Sequence, residues 1–274
     1  MNSTFMKINI AVTVVSLLYL LLLYFGYIRL FRLQNGSCEQ FSKTYLKTPR
    51  AQSKGKLIVS MGTDKTEFSE IKASLNSILD QTVHADQLIL SVFKDSQIEI
   101  PQYLSDSKIL ITHRVCDNYG DLICLLSPLL REKDGDAKII LLNDKQVYGE
   151  DFIETLVDAS EQSPNSVIFT SGYNGKKSLE KGEKVVTPYS NDVIDMSGGV
   201  LIKPKFFQED VFSFENSPNG IDRNPDVFLS SYLHKHGVQI TEISYKENFR
   251  KMKELIPGSD KAIGYYAALF PSFN

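Results

Sequence analysis

LIVSMGTDKTEFSEIKASLNSILDQTVHADQLILSV, residues 57–92, holds one complete strand–helix–strand unit. LIVSM (57–61) and QLILSV (87–92) are short apolar runs, and between them Phe68, Ile71, Leu75, Ile78 and Leu79 recur at the helix period. A strand that passes through a helix into a second strand makes a crossover, and crossovers join parallel neighbours. Strands apolar along their whole length are covered on both faces. The alternation continues outward through KILIT (108–112), KIILL (138–142) and SVIFT (166–170). Helical patterns lie between them, at Leu122, Leu125, Leu126, Leu129 and Leu130, and at Phe152, Ile153, Leu156 and Val157. The pattern predicts an α/β fold, Rossmann-like, with a mostly parallel central sheet. The second half is less regular, with GVLIK (199–203), a helical stretch over 226–236 and QITEI (239–243).

Upstream of this unit the chain changes character. Residues 8–28 carry no charged side chain and centre on VVSLLYLLLLYF. At ~1.5 Å per residue such a helix crosses a hydrocarbon layer of ~30 Å. It lacks the polar stripe of a soluble core helix. It is too long for an ordinary signal-peptide core, and no A-x-A cleavage site follows. The organisation expected is a tail over 1–7, one transmembrane anchor over 8–31, a polar stem or linker over 32–55, and one domain over 56–274. Lys7 precedes the span, whereas Arg29, Arg32, Lys43, Lys47, Arg50, Lys54 and Lys56 follow it. By the positive-inside rule this puts the domain on the cytoplasmic side.

The 274 residues carry a net charge of −3, with 42% hydrophobic and 23% charged residues. That is an ordinary globular composition with no electrostatic case for nucleic acid. Cys38, Cys116 and Cys124 have neither zinc-site spacing nor a disulfide framework. Cys116 and Cys124 could pair in an oxidising lumen, or all could be buried thiols. His234 and His236, two apart on a helical stretch, point to different faces and do not share a metal. No P-loop, G-x-G-x-x-G or G-x-S-x-G motif is present, which argues against NTPases, dehydrogenases and serine hydrolases.

In open α/β sheets ligands bind beyond the carboxyl ends of the strands. The first candidates are therefore Thr63 and Asp64 after the first strand, and Asn143, Asp144 and Lys145 after the fourth. Thr63 and Asp64 could equally cap the next helix. Asp226, next to Pro225 at the start of a helical run, suits a first-turn acid as well as a catalytic one.

Five segments, in order, resemble family-2-like GT-A glycosyltransferases. Residues 57–92 resemble the opening strand–turn–helix–strand, NYGDLICL (118–125) the D-Y-G-P-x-x-K-L segment, and KIILLNDKQVYGEDF (138–152) the strand carrying D-x-D. GGVLIKPKFF (198–207) resembles G-x-x-G-V-L-Y-x-P-x-F-F, and NPDVFLSSYL (224–233) resembles A-D-D-h-W-L-S-x-x-L. The resemblance implies a GT-A fold that takes a nucleotide-sugar donor and a hydroxyl acceptor on a glycan, lipid or protein, with inversion. It implies Mn2+ or Mg2+ on the diphosphate at Asp144, with Asn143 and Lys145 beside it, and Asp226 as base. Thr63, Asp64, Tyr119 and Gly120 would line the donor pocket, and Gly198 and Gly199 the acceptor side. Tyr119–Gly120 and Gly198–Gly199 also read as ordinary turns. Resemblance to Golgi-type anchored transferases implies a lumenal domain, against the charge count.

The chain departs from this pattern. D-x-D has become Asn143-Asp144-Lys145, a degenerate motif. Divalent cations want anionic oxygens, whereas protonated Lys145 repels them, so the departure speaks against a strong metal site and leaves Lys145 as a point charge for diphosphate. The second segment lacks its Asp, its Pro and its Lys, with Asn118, Asp121 and Cys124 in those places, and Asp226 is the one acid kept in the last. The alternative is a membrane-tethered, catalytically degenerate GT-A-fold binding or interaction module.

Overall fold

Every apolar run becomes a strand, and neighbouring residues of each run face opposite sides of the sheet. The computed structural model describes residues 3–47, 55–106, 109–115, 122–182, 184–186, 191–213 and 224–245, without the side chains of 3–6, 22–27, Asp106 and Leu179. In chain order the elements are α1 (Ser3–Asn35), α2 (Cys38–Lys47), β1 (Leu57–Thr63), α3 (Phe68–Leu79), β2 (Gln87–Phe93) and α4 (Gln102–Asp106). Then come β3 (Leu110–Val115), α5 (Ile123–Leu129), β4 (Lys138–Asn143), α6 (Phe152–Gln162), β5 (Ser166–Phe169) and β6 (Gly172–Tyr173). The last are α7 (Gly175–Lys181), β7 (Val193–Ile194), β8 (Val200–Ile202), α8 (Pro225–Lys235) and β9 (Gln239–Glu242).

The main sheet runs β3-β2-β1-β4-β8-β5-β9. β1 pairs parallel with β2 and β4, β2 with β3, and β5 with β9. β8 is the exception, antiparallel to both β4 and β5. Leu57, Val59, Met61, Leu88, Leu90, Ile140 and Leu142 pack on one face against α3 and α6. Ile58, Ile89, Ile139, Leu141, Val200 and Ile202 pack on the other against α5 and α8. Helices on both faces account for the near-continuous apolar strands.

The expected stem differs from the structure. α2 starts within three residues of the end of α1, and Leu33, Cys38, Phe41 and Tyr45 enter the core beside α3. Asn76 of α3, fully buried, donates from Nδ2 to the Leu33 carbonyl at 2.7 Å. Arg29 Nε and Arg32 Nη2 meet Asp80 at 3.0 and 2.8 Å. The amphipathic spacing of Cys38, Phe41 and Tyr45 buries one face of α2. A strip of polar residues around those apolar ones gives the segment its linker-like composition. The anchor expected over 8–31 is helical and continues to Asn35. Among the described residues no helix is long and apolar enough to cross a membrane. The tail beyond 245, with Phe270 and Phe273, lies outside the described residues, as does Cys116.

His113 of β3 is buried, its Nδ1 3.0 Å from Ser127 Oγ on α5. Burial, helped by the nearby Arg131 cation, pushes its imidazolium from the usual 6.5 down to about 4. Between these values the unfolded chain binds a proton that the folded chain does not, so stability falls as pH drops through that window. Urea midpoints measured across it should decline for the wild type and decline less for His113→Gln; equal slopes would contradict a buried neutral imidazole.

Candidate functional site

β4 sets the geometry. It lies parallel to β1, with Gly62 opposite Asn143, so both strands finish at the same edge of the sheet. It lies antiparallel to β8, with Leu141 opposite Val200, so β8 begins where β4 ends. The chain therefore returns to the ends of β1 and β4 through Met196, Ser197, Gly198 and Gly199. Gly199 has φ +95°, and a Cβ there would stand 2.6 Å from Phe152 Cζ. A side chain is excluded both by backbone conformation and by the ring. The Gly198 carbonyl accepts from Thr170 Oγ1 at 2.6 Å.

At the end of β4, Asp144 is buried and accepts from Thr63 Oγ1 at 2.5 Å. Its backbone carbonyl accepts from Ser74 Oγ at 2.6 Å. Asn143 Oδ1 accepts from the Lys145 backbone N–H at 2.8 Å, a side-chain turn that fixes the tripeptide. The Tyr148 hydroxyl closes the strand end by accepting from Asn143 N–H at 2.7 Å. Burial pushes the Asp144 carboxyl above the usual aspartate value. The Thr63 hydroxyl, Lys145 and Lys65 oppose this, while Asp64 adds to it.

These residues do not fit a divalent cation. Asp144 is the one carboxylate of the tripeptide and is already bonded to Thr63, while Asn143 Oδ1 is turned to its own loop. The flanking charges Lys145 and Lys65 repel a cation. Among the described residues no cluster of three or more His, Cys, Asp or Glu could hold a metal ion.

The second centre forms around Asp226. Asn224 caps α8, its side chain accepting from Val227 N–H at 3.1 Å, and Pro225 opens the helix. That leaves Asp226 in the first turn rather than at the cap. Asp226 Oδ1 accepts from Met196 N–H at 2.9 Å, and Oδ2 is 2.7 Å from Lys184 Nζ. Lys184 also lies 3.5 Å from Asp195 Oδ1 and 5.0 Å from the centroid of the Tyr173 ring. Asp195 Oδ1 accepts from Ser197 N–H at 3.1 Å and Ser197 Oγ at 2.6 Å. Burial and then Asp195 raise the Asp226 carboxyl above the usual aspartate value, against the opposing pull of Lys184 and the Met196 N–H.

The structure thus brings Thr63, Asn143, Asp144 and Lys145 together. Met196, whose N–H holds Asp226, begins the turn that packs Gly198 and Gly199 beside the end of β4. Asp64 follows the same strand but is 66% exposed, 3.9 Å from Lys65. Neither Thr63 nor Asp64 caps α3; Glu67 does, in a reciprocal box with Glu70. Tyr119 and Gly120 lie outside the described residues. Sequence reading missed Lys184 and Asp195. Asp195 had a signal, standing just ahead of M-S-G-G where a capping side chain is wanted. Lys184 had none, since it reaches Asp226 across 42 residues.

No protein-family model matches the sequence, and no curated protein matches it. Among solved structures the chain is similar to GalNAc-T7 crystallised with UDP, GalNAc and Mn2+. The TM-score is 0.51 at 10% identity, over 79% of this chain, which spans about half (48%) of that one. It also matches 2-C-methyl-D-erythritol 4-phosphate cytidylyltransferase of Francisella tularensis, with TM-score 0.48, 11% identity and 79% and 100% of the two chains covered. A mannosyltransferase of Pyrobaculum calidifontis in complex with GDP-Man and Mn2+ gives TM-score 0.47 and 12% identity, over 80% of this chain and 66% of that one. The likeness to GalNAc-T7 and the strand order with its one inserted antiparallel strand establish the fold as GT-A type.

Proposed function

We propose that this protein is a glycosyltransferase that moves a sugar from a nucleotide-sugar donor to a hydroxyl on a glycan, lipid or protein, with inversion. The observation that carries the reading is that the Thr63–Asp144 bond and the Gly198–Gly199 turn lie at one end of the sheet, and that Met196, which opens this turn, is bonded to Asp226. That is the end where open α/β sheets take ligands. Thr63 and Asp64 would face the nucleoside, and Asn143, Asp144 and Lys145 the diphosphate. Gly198 and Gly199 let backbone approach the acceptor side. Asp226 would take the proton of the acceptor hydroxyl as that oxygen bonds the sugar carbon and the nucleoside diphosphate leaves. In the absence of a fitting metal set, lysine charge at Lys145 offsets the leaving diphosphate.

The second reading, a binding module that has lost catalysis, is favoured by the same degenerate tripeptide. A thermal-shift panel of nucleoside diphosphates on the full-length protein separates the two. Stabilisation by one nucleotide in EDTA, lost in Lys145→Ala, supports the metal-independent donor site; strict dependence on Mn2+ would refute it, and no shift with any nucleotide favours the binding module. With a donor identified, Asp226→Asn should lower kcat by about 10²-fold or more with little change in donor affinity. A kcat within a few-fold of the wild type would remove Asp226 from the base role.

We also propose that α1 anchors the chain in a membrane as a single pass, its uncharged sequence continuing through residues 22–27, whose side chains lie outside the described ones. Supporting this are the uncharged run 8–28 and exposed apolar side chains such as Val12, Val15, Leu18 and Leu20 along the helix. α1 lies antiparallel to α3, Arg29 meeting Asp80 and Leu33 meeting Asn76, so its N-terminal part leaves past the end of α3 away from the site. On this reading the donor site faces away from the bilayer. Carbonate washing should leave the intact chain with membranes and release a chain lacking residues 1–27, and protease protection of sealed vesicles reports whether the domain is lumenal or cytoplasmic. Release of the intact chain would overturn the anchor.

A further inference from the structure

Lys184 lies three residues beyond α7, on the excursion between β6 and β7. The two short strands pair antiparallel and close that excursion on itself. Ile194 N–H donates to Ser230 Oγ at 2.9 Å, tying the ribbon to α8. The residue next to Lys184 is pinned on both sides. Val185 N–H donates to Ser178 Oγ at 2.9 Å, and its carbonyl accepts from Asn174 N–H at 2.8 Å. The ammonium is therefore placed by its surroundings rather than left to a swinging side chain.

Two carboxylates and one cation share this pocket. The charged side chains that face Asp226 among the described residues are Asp195 and Lys184, with Tyr173 behind the ammonium. The Met196 N–H supplies the remaining polar contact. The Asp195 carboxyl opposes ionisation of Asp226, and the ammonium that both contact favours it. A protonated Asp226 has no use as a base.

We propose that Lys184 is the positioning residue for Asp226, holding its carboxylate ionised and aimed despite the Asp195 carboxyl beside it. The inference rests on the reading of Asp226 as the base. Lys184 engages Oδ2 and Met196 engages Oδ1, and each oxygen keeps a second lone pair for an acceptor hydroxyl. Burial pulls the ammonium down, but Asp226 and Asp195 outweigh it and hold Lys184 above the usual lysine value. The cation is therefore present throughout the neutral range.

The test uses the full-length protein labelled with 13C at aspartate carboxyls, the Asp226 signal being assigned by its loss in D226N. In K184M the Asp226 midpoint should rise by about one unit or more, as expected on losing an opposite charge at this distance. The low-pH limb of kcat/KM for sugar transfer should move the same way. K184R, which keeps the charge, should retain the wild-type midpoint. D195N added to K184M should bring the midpoint part of the way back, because it removes the like charge. K184Q serves where K184M disturbs packing against Tyr173. An unmoved midpoint in K184M and K184Q, or a K184R that shifts as far as K184M, overturns the proposal. If the wild type transfers no sugar from any donor, the transferase reading fails while the titration still decides the role of Lys184.

Discussion

The structure depends on β4 pairing in opposite senses with its two neighbours. Parallel pairing with β1 makes Thr63 and Asp144 meet at one edge, and antiparallel pairing with β8 sends the chain back to that edge through two glycines. A parallel β8 would begin at the far end of the sheet, and Met196 could not present its N–H to Asp226 near the end of β4. The turn tolerates this approach because Gly199 adopts a left-handed backbone and lies against Phe152, the first residue of α6. The packing of one face of the sheet and the construction of the site are the same constraint.

The site handles its two buried carboxylates by different means. Asp144 accepts from a neutral hydroxyl, and the Lys145 and Lys65 cations and the Asp64 carboxylate act on it electrostatically. Asp226 is satisfied by a direct ammonium contact and a backbone N–H, and shares its cation with Asp195. A hydroxyl partner relieves desolvation without fixing charge, whereas an ammonium fixes it. The two centres thus differ in what their carboxyls meet first, a hydroxyl at Asp144 and an ammonium at Asp226. A divalent cation at Asp144 would have to displace Thr63 and overcome the repulsion of Lys145 and Lys65.

Much of the fold was legible in advance, because strand and helix periods are local signals. Each apolar run of five or six residues became a strand, and the helices over 68–79, 152–162 and 225–235 followed their periodic leucines, isoleucines and phenylalanines. The sense of β8 was not legible. GVLIK reads as a strand in either direction, and its direction is set by where the preceding chain leaves the β6–β7 ribbon. In the site, residues that follow strands could be picked by position, and Asp144 and Thr63 meet as a result. Pairings across long separations could not: Lys184 with Asp226, and Thr63 as a partner for Asp144 rather than a cap for α3, are decided by packing.

The segment 32–55 shows the same limit from the other direction. Its composition is that of a linker, yet its few apolar residues fall at spacings that one face of a ten-residue helix can bury. Isolated helices of that length are marginal in water. α2 holds because α3 offers it an apolar surface, and because the buried Asn76 amide gives the end of α1 a hydrogen bond that water cannot reach. The two arginines on Asp80 fasten the same junction at the surface. With α1, α2 and α3 joined in this way, any load or tilt on the N-terminal helix passes into α3. From there it reaches Ser74, which holds the Asp144 backbone, and Ser77, which accepts the Tyr148 N–H; Tyr148 in turn closes the end of β4. The N-terminal segment is therefore mechanically continuous with the end of β4, where a flexible stem would have isolated it.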